Sequence, residues 1–230
     1  MEFPSGSLLL LAAAKGVSLP EGIAEEIGGV RLSTLIAVTK AISKWGYSWE
    51  LVLDTEGTVA LISDDQSEAA KDWCRNHSEK LAHAAALTSE KAEKCVGLVV
   101  PSVLGFIGTR NSVPLADLLS PAVSTLLDSR RPVLFAGYGL SLTFGIRRQE
   151  RWVLSEYALT SLPIISQLSE SYSDSLPFFI EENVRDQGGL FVSAPSGSTV
   201  LADRRVVTTQ SDAGISIGVH ALCALIKESR

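Results

Sequence analysis

Polar and apolar positions along the chain follow two different periods. Leu8 to Ala13, Val96 to Val100 and Val133 to Ala136 are unbroken apolar runs. Short continuous runs bounded by turn residues are the mark of strands buried on both faces, and such strands belong to parallel sheets. Between them the period lengthens. Leu32, Leu35, Ile36, Thr39 and Ile42 recur at helical spacing and predict an amphipathic helix over residues ~31–45, ended by Gly46 in a left-handed conformation. Leu115, Leu118, Leu119, Ala122, Val123, Leu126 and Leu127 predict a second helix. Ser112 is its expected N-cap, Pro114 sits in its first turn, and Arg130 and Arg131 complement the negative end of its dipole.

The remaining segments are read the same way. Trp49 to Leu53 is a strand and Val59 to Ile62 a short one, while Asp64 to about Leu87 is polar, Ala-rich and expected to be helical. Short β pieces follow at Trp152–Leu154, Leu190–Ala194, Thr199–Leu201 and Val206–Thr208, and a last helix runs from Ile215 to about Lys227. Strands alternating with helices predict an α/β sandwich with a mainly parallel sheet. No repeat or linker divides the chain, so residues 1–230 read as one domain.

Composition narrows the choice of partner. A net charge of −6 with no basic stripe argues against direct contact with nucleic acid or an anionic membrane. Three cysteines at irregular spacing make neither a disulfide framework nor a zinc pattern, so a reducing cytoplasmic compartment is expected, without metal or cofactor. SLLLLAAA, residues 7–14, invites an alternative: residues 1–18 as a signal peptide of a secreted protein. The preceding region carries Glu2 and no Lys or Arg, and a buried first strand accounts for the same run.

The chemistry centres on one stretch, RRPVLFAGYGLSLTFG, residues 130–145. A strand, a tight turn and a helix form the frame that presents a nucleophile in α/β enzymes. Here the turn is Gly137-Tyr138-Gly139, with no thiol, hydroxyl or carboxylate at its tip. In an open parallel sheet, ligands bind where loops leave the carboxyl ends of strands. Lys15-Gly16-Val17-Ser18, Pro101 to Gly105, and the Gly137 turn are therefore expected to meet. Tyr138 is either a functional phenol or bulk filling the site. Ser102 and Ser141 lie close in sequence to this turn or its neighbour and are expected to make local backbone bonds; Glu156 is the nearest downstream carboxylate. His77 and His83, on the polar helical stretch, and His220, in the last helix, lack the context of a general base. Glycine at 137 can adopt φ > 0 without the strain a nucleophile elbow imposes.

PVLFAGYG resembles the P-V-A-A-I-C-H-G segment of the ThiJ/PfpI family, part of the class I glutamine amidotransferase-like superfamily, with Gly137 where that family has Cys and Tyr138 where many members have His. LPFFIEENVRDQGGLFV and DRRVVTTQSDAGISIGVHAL are similar to further segments of the same family, and VGLVVPSVLG stands where its strand and P-G-G turn would be. The resemblance implies a flavodoxin-like three-layer α/β/α sandwich, a homodimer, and no catalysis. Within the family, likeness to one member, carried by Gly137, Arg151-Trp152 to Thr160 and the final helix, also implies a place in FERRY, a Rab-effector assembly on early endosomes that carries mRNA, with other subunits contacting the RNA. The alternative is a hydrolase, glyoxalase or deglycase working through a non-standard site; a third reading is small-molecule sensing in a vestigial pocket.

Overall fold

In the computed structural model, which describes residues 6–194 and 197–228, a seven-stranded sheet carries the core. In chain order its elements are β1 (Ser7–Ala12), α1 (Leu32–Lys44), β2 (Ser48–Leu53), α2 (Glu68–Asn76), α3 (Ser78–Ala82), β3 (Ala85–Ala86), α4 (Ser89–Lys94), β4 (Gly97–Val100), α5 (Leu115–Asp128), β5 (Val133–Ala136), α6 (Ile164–Leu168), α7 (Ile180–Asp186), β6 (Val200–Asp203), β7 (Val206–Thr209) and α8 (Ile215–Glu228). The strands lie in the order β6-β7-β5-β4-β1-β2-β3. Every pairing is parallel except β6 with β7. Helices flank the sheet, α1 against α8 and α4 against α5. This is the α/β sandwich that the alternating pattern predicts, in a flavodoxin-like arrangement.

The continuous apolar runs are the central strands. Leu8 to Leu11 pair with β2 on one side and β4 on the other and are at most 2% exposed. Each such leucine contributes about 2 kcal/mol of transfer free energy. Residues 1–5 of the segment weighed as a signal peptide lie outside the described residues; its apolar part, Ser7–Ala12, is β1. Among the described residues no helix is long and apolar enough to cross a membrane.

Three local expectations need correction. The polar stretch from Asp64 is not one helix: His77, at φ −120° and ψ 15°, separates α2 from α3, and Ala85–Ala86 then adds an edge strand. Ser67, whose hydroxyl accepts from the Ala70 N–H, caps α2. Ser112 does not cap α5. With Asn111 (φ 50°) and Ser112 (φ 65°) it forms the tight turn of a hairpin joining 109–110 to 113–114. Two positive φ values in a two-residue loop match the right-handed twist of the strands. Arg131 serves α4 rather than α5: its guanidinium donates to the carbonyls of Glu93 and Cys95, where α4 ends. Gly46 takes φ 75°, as the end of α1 requires.

The loop after β1 also departs from expectation. Ser18 bridges to Thr109, and Arg110 donates from its side chain to the carbonyls of Ala14 and Lys15. Arg110 Nε meets Asp54 Oδ2 at 2.6 Å, with the Asp54 side chain 0% exposed. Asp54 Oδ1 accepts from the Ala14 N–H at 2.7 Å. Residues 15–18 are thus stitched to the 109–114 hairpin instead of opening onto a cleft.

Candidate functional site

The strand order reverses at β1, whose neighbours β2 and β4 lead away on opposite sides. Outside the carboxyl ends of β4, β5 and β7, beside the start of α1, lies a cleft of about 770 Å³. That volume is in the range of small-molecule sites. Ser102 and Tyr138 line it, as expected; Lys15 to Ser18 do not, and their place is taken by Arg31, Ser33 and Thr34 at the start of α1. Glu156 is absent from the cleft. It is exposed, holds φ 67°, and pairs with Arg151 at 3.0 Å.

β5 delivers the chain to Gly137, which takes φ +43° and opens a 3₁₀ stretch, Gly137–Thr143, rather than an α-helix. A Cβ at 137 would overlap Ser102 Oγ and lie 2.8 Å from Ser102 Cβ. The hydroxyl of Ser102 therefore occupies the volume a side chain at the elbow would need. Ser102 Oγ accepts from the Tyr138 N–H at 3.2 Å, and Ser161 Oγ donates to the Gly137 carbonyl at 2.8 Å. Ser141 Oγ donates to the Tyr138 carbonyl at 2.7 Å, the local backbone bond expected of it. Gly139 is a glycine for another reason: a Cβ there would stand 2.8 Å from the Pro101 carbonyl oxygen.

Two further walls were not visible in the sequence. Asp212, just after β7, holds the mouth of the cleft together. Its Oδ1 accepts from the Ser102 N–H at 2.9 Å and its Oδ2 from the Thr34 hydroxyl at 2.8 Å. Burial pushes its carboxyl above the usual range, against these hydrogen bonds and the charge of Arg31. The floor is made by Tyr138 and Gln167, which are 6% and 1% exposed. Gln167 Oε1 accepts from the Ile180 N–H at 2.7 Å, which fixes the amide. Gln167 Nε2 and Tyr138 Oη lie beside each other, with Tyr172 next to the phenol, in geometry looser than a regular hydrogen bond. Burial, then the nearby Tyr172, pushes the Tyr138 phenol far above its ordinary value, so it stays protonated. Buried polar groups left unpaired cost about 1–3 kcal/mol each.

Acyl transfer or glyoxal chemistry of the thiol type requires a thiolate and a base. No cysteine or histidine lines the cleft. Cys95 and Cys223 are buried and Cys74 sits on α2. Burial raises all three thiols, Cys223 to about 12, the opposite of an activated nucleophile. His77 stacks on Trp73 with ring centroids 4.3 Å apart, and His220 Nδ1 accepts from Trp45 Nε1 at 2.6 Å. Among the described residues, no three His, Cys, Asp or Glu side chains gather as a metal site.

No protein-family profile matches the chain. Curated relatives do. Glutamine amidotransferase-like class 1 domain-containing protein 1 of Danio rerio is 23% identical over 74% of this chain and 80% of the relative. The Xenopus laevis protein of that name is 26% identical over 77% and 78%. Solved structures share the fold. The 24 kDa Rapid Encystment Protein of Francisella tularensis superposes with a TM-score of 0.82 at 13% identity, over 96% of this chain and 99% of that one. Glyoxalase III from Candida albicans gives 0.75 at 15% identity, over 96% and 97%. A ThiJ/PfpI domain protein from Brachyspira murdochii gives 0.58 at 14% identity, over 96% of each chain. A polypeptide whose elbow holds glycine under a serine hydroxyl is thus a sequence relative of glutamine amidotransferase-like class 1 domain-containing protein 1, built on the ThiJ/PfpI fold.

Proposed function

We propose that this chain is a catalytically silent ThiJ/PfpI-type scaffold subunit that works through its protein surfaces, as a component of FERRY on early endosomes. The observation that carries the reading is the elbow itself: Gly137 has no side chain, and Ser102 fills the space where one would stand. No thiol or imidazole lines the cleft to replace it. Removing a nucleophile of this kind costs on the order of a million-fold in turnover. The likeness to glutamine amidotransferase-like class 1 domain-containing protein 1 supports the placement in that assembly. A net charge of −6 supports a role in which other subunits contact the mRNA. A homodimer is the proposed form of the subunit.

The competing reading is a glyoxalase, deglycase or hydrolase, favoured by the fold shared with glyoxalase III and by the half-buried Asp212 carboxylate in the cleft. One pair of measurements separates the two. Purified protein with methylglyoxal is expected to show no turnover, and tagged protein captured from its own cells is expected to bring down the other FERRY subunits. Turnover that Tyr138→Phe or Asp212→Asn abolishes would establish the enzyme instead. Capture of the chain without those subunits would remove it from the assembly.

A further inference from the structure

The entrance of the cleft carries features that nothing inside it uses. Among the described residues, three of the large apolar side chains that stand exposed lie on or beside its wall: Ile27 at 37%, Ile165 at 76% and Leu168 at 51%. α6 accounts for two of them. It gives Ser166 and Gln167 to the cleft wall and leaves Ile165 and Leu168, three positions apart, on one exposed face. A lone exposed apolar side chain is ordinary, but a ridge of them beside a groove of about 770 Å³ marks an interaction surface.

The charge on the rim says what can lie there. Glu25 and Glu26 immediately precede Ile27 and are exposed, and Glu170 lines the wall just beyond α6. Asp64 is held over the start of α1, its Oδ1 accepting from the Ser33 N–H at 3.0 Å. Asp212 stands deeper, with both oxygens engaged by Ser102 and Thr34. Among the residues lining the cleft the one cation is Arg31, and its charge already acts on Asp64 and Asp212. This excess of carboxylates over a single guanidinium attracts positive charge and repels phosphate, so neither RNA nor an anionic lipid surface suits the groove. A second copy does not suit it either, because a two-fold contact would set these carboxylates against their own images. We infer that the cleft and the α6 ridge form a docking groove for a basic amphipathic segment of a partner protein, its lysine or arginine side chains meeting the rim carboxylates and its apolar side chains lying against Ile165, Leu168 and Ile27. The inference rests on the scaffold reading, which leaves the cleft free of substrate, and it adds the place and the chemistry of the contact.

The test uses a fluorescein-labelled peptide of alternating leucine and arginine as probe, its leucine–glutamate counterpart as control, and fluorescence anisotropy with the full chain. The arginine peptide is expected to bind at about 50 mM salt and to weaken severalfold at about 500 mM, while the glutamate peptide stays unbound. Glu170→Lys and Ile165→Asp are each expected to weaken the arginine peptide about tenfold, and the gentler Glu170→Gln and Ile165→Ser to act in the same direction. Glu68→Lys, the same charge change on the exposed surface of α2, is expected to leave binding within about twofold. The inference is overturned if the arginine peptide does not bind, if the glutamate peptide binds as well, if the four cleft variants leave binding unchanged, or if Glu68→Lys weakens it as much. Conversion of a dimer to a monomer by Ile165→Asp would overturn it too, by assigning the ridge to a second copy. Capture from cells separates the inference from the reading beneath it. FERRY subunits that come down equally with wild type and with the double variant Ile165→Asp, Glu170→Lys would remove the groove and keep the scaffold. Wild type captured without them would remove the chain from that assembly, and the peptide titration would still decide the groove.

Discussion

The carboxyl edge of the sheet contains two buried polar clusters that were built on opposite terms. At the ends of β1 and β2, Asp54 is fully enclosed and every contact is closed: Arg110 and the Ala14 N–H take its two oxygens, and Arg110 spends its other donors on the carbonyls of Ala14 and Lys15. Beyond β5, Tyr138 and Gln167 are enclosed almost as deeply, but their polar atoms meet only each other and Tyr172, in loose geometry. The first cluster anchors two loops. The second lines the cleft with poorly paired polar groups, at a cost to stability. The difference separates the tightly pinned end of the edge from the end that lines the cleft.

Substitution at the closed cluster should give the largest effect. Arg110→Ala leaves Asp54 as an uncompensated buried charge, so the unfolding free energy is expected to fall by about 3–5 kcal/mol in a urea titration. A loss below about 1 kcal/mol would erase the contrast between the clusters. Gly137→Cys comes next. The new side chain meets positive φ and the Ser102 hydroxyl together, so a loss of about 2 kcal/mol is expected, with no methylglyoxal turnover because no histidine lines the cleft. Ser102→Gly in the same molecule should recover part of that loss; no recovery would show that backbone strain alone is responsible.

The smallest effect concerns Asp212. Its folded carboxyl lies above the unfolded value, so between those two values the folded state holds the extra proton. Stability from this group is greatest in acid and declines as pH rises through the raised value. Asp212→Asn removes that dependence. Melting midpoints of wild type and variant, compared from pH 3.5 to 7 on the order of a degree apart per step, are expected to diverge in favour of the variant as pH rises. Parallel curves would mean the carboxyl titrates normally, and the mouth of the cleft would then resemble ordinary surface.

The sheet was legible because its strands are long enough to be written as uninterrupted apolar runs, and α1, α5 and α8 because each keeps a steady apolar stripe. Even Pro121 inside α5 did not hide that helix; Thr125 Oγ1 donates to its carbonyl at 2.9 Å one turn on. Ala85–Ala86 was not legible, since two alanines become a strand only when β2 offers them a partner. Gly137, Tyr138 and Ser102 could be placed because they sit next to strand ends that the pattern defines. Glu156 was misplaced by the same logic of proximity along the chain. Asp212, Thr34 and Gln167 come from separate elements and meet only through the sheet's strand order, and no spacing in the sequence encodes that meeting. The position of Asp212, immediately beyond a strand and ahead of a helix, was the one available clue.

The overlap between Ser102 and the missing Cβ at 137 also works as a ratchet. Two loops share a single pocket of volume, and only one of them can own it. A homologue that gains a side chain at the elbow is strained until the serine gives way, so these two positions should change in concert across relatives of this chain.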